Sequence, residues 1–146
     1  MKNVKFLLSA ALVFLASAAL AQDFSGPQYA KWGATPEERE QNILNSNFLK
    51  ESCDNRDYDA AAHYLKGLID KIPDAAESIY QRGAVVYKNK INRAKSVAEK
   101  NMFIDSLMLM YDMRAQYFGD NVKPGKTAFI LDQKAREFLR YKPNDR

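Results

Sequence analysis

The chain has 146 residues, of which 47% are apolar, 27% charged and 12% aromatic, a balance that suits one globular domain and excludes a disordered or collagen-like chain. The formal charge of +4 falls short of the concentrated basic face that a nucleic-acid binder needs, so that class is set aside. A single cysteine, Cys53, cannot form an internal disulfide, leaves stability to packing, and reads as a buried small apolar side chain.

Residues 1–21 read as a secretory signal peptide. Lys2 and Lys5 precede the apolar run Phe6 to Leu20, and Ala19-Leu20-Ala21 has the small-x-small pattern of a cleavage site before Gln22. The run is too short for a membrane anchor and no cysteine follows to carry a lipid, so the expected product is exported, to the periplasm or the outer membrane of a Gram-negative cell, with no transmembrane segment in the mature chain. Taking Lys2 and Lys5 from the 22 basic residues leaves 20 against 18 acidic, and the charge falls from +4 to +2.

Residues 22–35 mix Gly26, Pro27 and Gly33 with Phe24, Tyr29 and Trp32 and are expected to form an extended aromatic arm without helical period. Thr35-Pro36-Glu37-Glu38 then places a hydroxyl at the N-cap, proline at the first helical position and glutamate at the third, so a first helix starts at Pro36. Ile43, Leu44, Phe48, Leu49 and Cys53 follow its three-four spacing, and Asp54 to Asp57 supply the turn that ends it.

A second helix carries the most regular stripe: Tyr58, Ala61, Ala62, Leu65, Leu68, Ile69 and Ile72, stopped by Pro73. For the third, Asp74 with Glu77 reads as a capping box, and Ala76, Ile79, Tyr80, Gly83, Ala84, Tyr87 and Ile91 give the period. Ser96 with Glu99 opens a fourth helix over Val97 to Phe118, closed at Gly119. Ile104, Leu107, Met108 and Tyr111 mark one of its faces and Phe103, Met110, Met113 and Tyr117 another, so neighbours are expected on two sides. After Lys123-Pro124-Gly125, the residues Ala128, Leu131, Ala135, Phe138 and Leu139 form the stripe of a shorter fifth helix ending before Pro143. The helical domain thus covers 36–142, with a tail over 143–146.

Stacked helical hairpins of repeat proteins recur about every 34 residues, a register against which this chain can be set. With Pro73 as the proline that closes a unit, Phe48, Tyr58, Ala61 and Leu65 fall on large, aromatic, small and large positions; in the next unit Ile79 takes a large-residue position and Gly83 the glycine where the helices of a hairpin approach most closely. Asn45, Leu49 and Lys95 depart from the pattern, and the second unit is irregular. Over Tyr29 to Asp120, with strings such as KWGATPEERE and FIDSLMLMYDMRAQYFGD, the chain resembles the amino-terminal region of secreted tetratricopeptide-repeat proteins of Gram-negative bacteria. The resemblance implies an all-α fold, a short right-handed stack of about five helices in antiparallel hairpins. It implies a concave face that holds a peptide or a partner protein of the cell envelope, with no cofactor and no catalytic residues, in a chain that is a short or truncated member of its kind.

Other chemistries fit individual residues less well. Cys53 and His63 would make the nucleophile and base of a small periplasmic hydrolase, but no oxyanion hole or nucleophile elbow accompanies them. Met102, Met108, Met110 and Met113 have spacings that suit Cu(I), yet i and i+2 do not share a helix face, so core filling explains them better. Asp54, Asp57 and Asp59 lack the glycine and twelfth-position glutamate of a calcium loop, and Lys88 to Lys100 read as a solvated hairpin tip. An envelope-glycan binder would use the arm, with Trp32 as its platform. One or two units fall short of the three that a repeat stack usually needs, so Phe129, Phe138 and Leu139 are expected to dock further repeats, a second copy or a partner at the C-terminal end.

Overall fold

The computed structural model of the protein describes residues 22–142; the leader expected at 1–21 and the tail at 143–146 lie outside the described residues. Five α-helices follow in order: α1 (Pro36–Asp54), α2 (Tyr58–Lys71), α3 (Glu77–Arg93), α4 (Val97–Phe118) and α5 (Lys126–Tyr141). No strand occurs among the described residues. Three of the starts are fixed by local chemistry. Thr35 Oγ1 accepts from the Glu38 amide at 3.2 Å while the Glu38 carboxylate takes the Ala34 amide at 2.8 Å, Asp57 accepts from the Ala60 amide at 3.1 Å, and Ser96 accepts from the Glu99 amide at 3.1 Å. Each satisfies a donor that the first helical turn leaves unpaired.

The arm is not extended. Pro27–Trp32 forms a 3-10 helix, too short to show a period in the sequence, and distant groups fasten it. The Arg39 guanidinium on α1 donates to the Gly33 carbonyl at 2.9 Å and to the Phe24 and Ser25 carbonyls at 3.1 Å, and the buried Asn42 amide donates to the Trp32 carbonyl at 2.7 Å. Gly33 permits the return onto α1, because a Cβ there would lie 2.7 Å from the Glu38 Cβ.

The Asp74 cap also differs from expectation. α3 begins at Glu77, and its N-cap residue Ala76 makes no side-chain cap. The Glu77 side chain is drawn instead to Arg114 and Lys126, so the reciprocal bond of a capping box is never made.

The α1–α2 and α3–α4 hairpins pack side by side, α2 and α1 both touching α3, and α5 lies against α4. This is a stack of helical hairpins with one unpaired helix at its end. Two core clusters result. The first joins Leu49, Leu65, Leu68, Ile79, Tyr80 and Met110 across α1 to α4; the second joins Ala84, Ile91, Ile104, Leu107, Tyr111 and Ile130 across α3 to α5. α4 therefore has neighbours on two sides, as its two apolar faces predict. The Tyr80 ring is fully buried, lies parallel to Tyr117 with centroids 6.4 Å apart, and its hydroxyl donates to the Pro73 carbonyl at 2.7 Å, so the phenol serves both the core and the turn that starts α3.

Gly83 is buried where α2, α3 and α4 converge. A Cβ on it would meet Met110 Sδ at 2.6 Å and Leu65 Cδ1 at 3.2 Å, both on fully buried side chains. Gly83→Leu is therefore expected to cost about 1–3 kcal/mol of stability through overpacking, read as a lowered urea midpoint. The loss shrinks when Met110→Ala makes room. A Gly83→Leu protein as stable as the parent would contradict this packing.

Candidate binding groove

α3 and α5 stand apart over α4 and leave a groove between them, lined by Gln81, Tyr111, Arg114, Phe129 and Gln133 among others. Four cross-helix bonds set its width. Glu77 on α3 accepts from Arg114 Nε on α4 at 2.9 Å and from Lys126 Nζ on α5 at 2.6 Å; Arg114 also donates to Gln133 Oε1 at 2.9 Å, and Lys88 on α3 donates to Glu137 on α5 at 3.2 Å. These side chains sit largely out of water: Arg114 is 11% and Glu137 12% exposed, so the pairs are screened less than surface pairs and hold α5 at a fixed spacing. The groove itself is lined by the Gln133 and Gln81 amides and the exposed Phe129 ring.

Two ionisation states follow from this packing. Burial opposes the charge on Glu77, but bonds from Lys126 and Arg114 outweigh it and hold the carboxyl below its ordinary value of 4.5. Burial, reinforced by the nearby Glu137 carboxylate, raises the phenols of Tyr111 and Tyr141, which stay neutral donors throughout the physiological range.

The residues singled out in the sequence divide by position. Ala61, Leu65 and Ile79 are fully buried, Tyr58 and Gly83 are buried, and Phe48 is half-buried with its ring 5.3 Å from that of Tyr64. Pro73 lies in the turn before α3. Trp32 is half-buried and packs against the first core cluster. On α5 the inward residue is Ile130, fully buried, with Gln133, Glu137 and Tyr141 on the same side. Of the stripe read from the sequence, Ala128, Leu131, Ala135 and Leu139 are exposed, while Phe138 is half-buried on the second core. Phe129 is 55% exposed at the groove.

The alternative chemistries scatter as well. Cys53 packs on the first core, where burial pushes its thiol above the ordinary range, whereas His63 is exposed and edge-on to Tyr64. Met108 belongs to the second core and Met110 to the first. Asp54 pairs with Lys50, Asp57 caps α2, and Asp59 pairs with Lys90. In the basic tip, Lys90 also lies over the Phe103 ring and Arg93 over that of Tyr58. Among the described residues no group of three or more His, Cys, Asp or Glu is placed to hold a metal, and no helix is long and apolar enough to cross a membrane. The roles of Arg39, Glu77, Arg114 and Gln133 are not legible in the sequence, because their partners lie up to 49 residues away.

No family model, no curated protein and no solved structure matches this chain.

Because Glu77 carries a lowered value, its contribution is complete above pH 4.5 and is lost as pH falls through the folded-state value. Glu77→Gln is expected to cost about 1–3 kcal/mol at pH 7, since it leaves half-buried cations poorly paired. It should also flatten the fall of stability below pH 4.5. Urea titrations of both proteins between pH 7 and pH 3 measure the difference; equal acid slopes would remove Glu77 from the account.

Proposed function

We propose that the protein is an exported, non-catalytic scaffold of tetratricopeptide type that holds a peptide or a partner protein in the groove between α3 and α5, in the periplasm or at the outer membrane. The observation that carries this reading is the groove's composition: amide side chains from Gln81 and Gln133 and an exposed aromatic ring from Phe129, set between helices held apart by ion pairs. An extended peptide presents amides and carbonyls on its edges and side chains to either side. Glutamine side chains meet its backbone without regard to sequence, and a ring such as that of Phe129 takes one apolar side chain. The leader-like 1–21 segment supports export, and the stacked hairpins support a helical-repeat type; the right-handed sense belongs to the resemblance. The outward side of α5, with Leu139, forms a second interface, for further repeats, a second copy or a partner.

A catalytic role gains no support from the arrangement, because Cys53 packs on the first core while His63 is exposed on the surface. Retention of envelope proteins on the immobilised chain tests the proposal. Gln81→Arg and Phe129→Glu, at exposed positions, are each expected to lower retention of a defined set of proteins about tenfold without changing the melting temperature. Retention that survives both changes would move the binding site away from this groove.

A further inference from the structure

We infer that the outward stripe of α5 is the contact by which two copies of this chain pair, antiparallel, about a two-fold axis at Ala135. The proposal rests on the reading of α5 as a second interface and commits it to one occupant. Among the described residues α5 packs on α4 without a hairpin partner of its own, and its outward side carries Ala128, Leu131, Ala135 and Leu139, exposed to solvent although apolar, with Leu131 at 42% and Leu139 at 48%. An antiparallel helix laid on that side takes the place that the second helix of a third hairpin would occupy. A second copy of α5 fits it by symmetry. With Ala135 on the axis, Leu131 stands level with the partner's Leu139 and Leu139 with the partner's Leu131, four residues to either side, which is the reciprocity that a two-fold interface requires. The small Ala135 at the crossing lets the helices approach closely.

Charge points to the same partner. Asp132 and Arg136 lie together on one flank of the stripe, bonded to each other at 2.8 Å and exposed. A two-fold axis in the interface keeps that flank on the same side in both copies, so Asp132 comes within about one turn of the partner's Arg136 and Arg136 within about one turn of the partner's Asp132. Opposite charges thus meet on either side of the axis, two such pairs against the single close approach of Arg136 to the partner's Arg136. On the other flank Lys134 is held by Asp112 of α4 at 2.5 Å, which keeps its ammonium from facing the partner's unneutralised. A pair of four-turn helices covers on the order of 1,000 Å² in total, near the lower limit of specific association, so the dimer is reversible.

Sedimentation equilibrium of the purified protein is expected to give a weight-average mass that rises from one chain towards two between about 10 µM and 1 mM. Ala135→Glu, on an exposed position, should weaken association at least tenfold and leave the melting temperature of the monomer unchanged. Asp132→Arg alone should also weaken it, because the new guanidinium faces the partner's Arg136, and Asp132→Arg with Arg136→Asp should restore it. A protein that stays monomeric at 1 mM overturns the proposal. So does a dimer unmoved by Ala135→Glu, or a charge reversal that fails to restore pairing. The wider reading is separated by repeating envelope-protein retention with Ala135→Glu: a monomeric chain that loses retained proteins on this change refutes self-pairing while α5 remains an interface, and one that loses none refutes both.

Discussion

The missing side chain at Gly83 is the constraint on which the rest of this molecule depends. Because α3 has no Cβ there, Met110 from α4 and Leu65 from α2 close over the same point, and the two hairpins share one core instead of forming two weakly joined pairs. A glycine inside a helix costs about 1 kcal/mol relative to alanine, so its place in the middle of α3 is offset by what the close approach permits: Leu65 and Met110 bury fully against each other and against Tyr80. The second core begins one residue on, at Ala84, where another small side chain lets Leu107, Met108 and Tyr111 approach α3. A large residue at either position would push α4 outward and carry α5 with it.

The position of α5 is fixed differently. Ile130 is the fully buried residue among those of this helix, with Phe138 and Tyr141 as half-buried support, and polar bonds do much of the remaining work. Glu77 reaches both Arg114 and Lys126, and Lys88 reaches Glu137. An interface held by one deep apolar anchor and directional ion pairs keeps a defined spacing without closing on itself. That combination leaves a groove open between α3 and α5, and it leaves the opposite side of α5 apolar and uncovered.

The parts of this arrangement legible in the sequence are those decided within one or two turns. Thr35, Asp57 and Ser96 fix helix starts through bonds to amides three residues away, and the Tyr58 to Ile72 stripe has one apolar face, which leaves no choice of side. The illegible parts are those decided by distant groups. Asp74 and Glu77 have capping-box spacing, but the Glu77 carboxylate gains more from two cations on other helices than from one amide. The arm contains no period because Arg39 and Asn42, not local propensity, hold it. α5 carries two apolar stripes in sixteen residues, and the more continuous one in sequence is the outward one; Ile130 wins the core because Lys126, Gln133 and Glu137 on its side can all be paired there. The groove was likewise invisible, since Gln81 and Gln133 become neighbours only after α4 has been inserted between them.

The most direct test of this account is amide hydrogen exchange of the native protein, with and without Glu77→Gln. The slowest amides are expected in α2, α3 and α4 around Gly83, opening only with global unfolding, while those of α5 open in a separate, less costly step that Glu77→Gln makes cheaper still. Protection of α5 equal to that of α3 and unchanged by Glu77→Gln would contradict a stack centred on Gly83 with α5 held in place by its ion pairs.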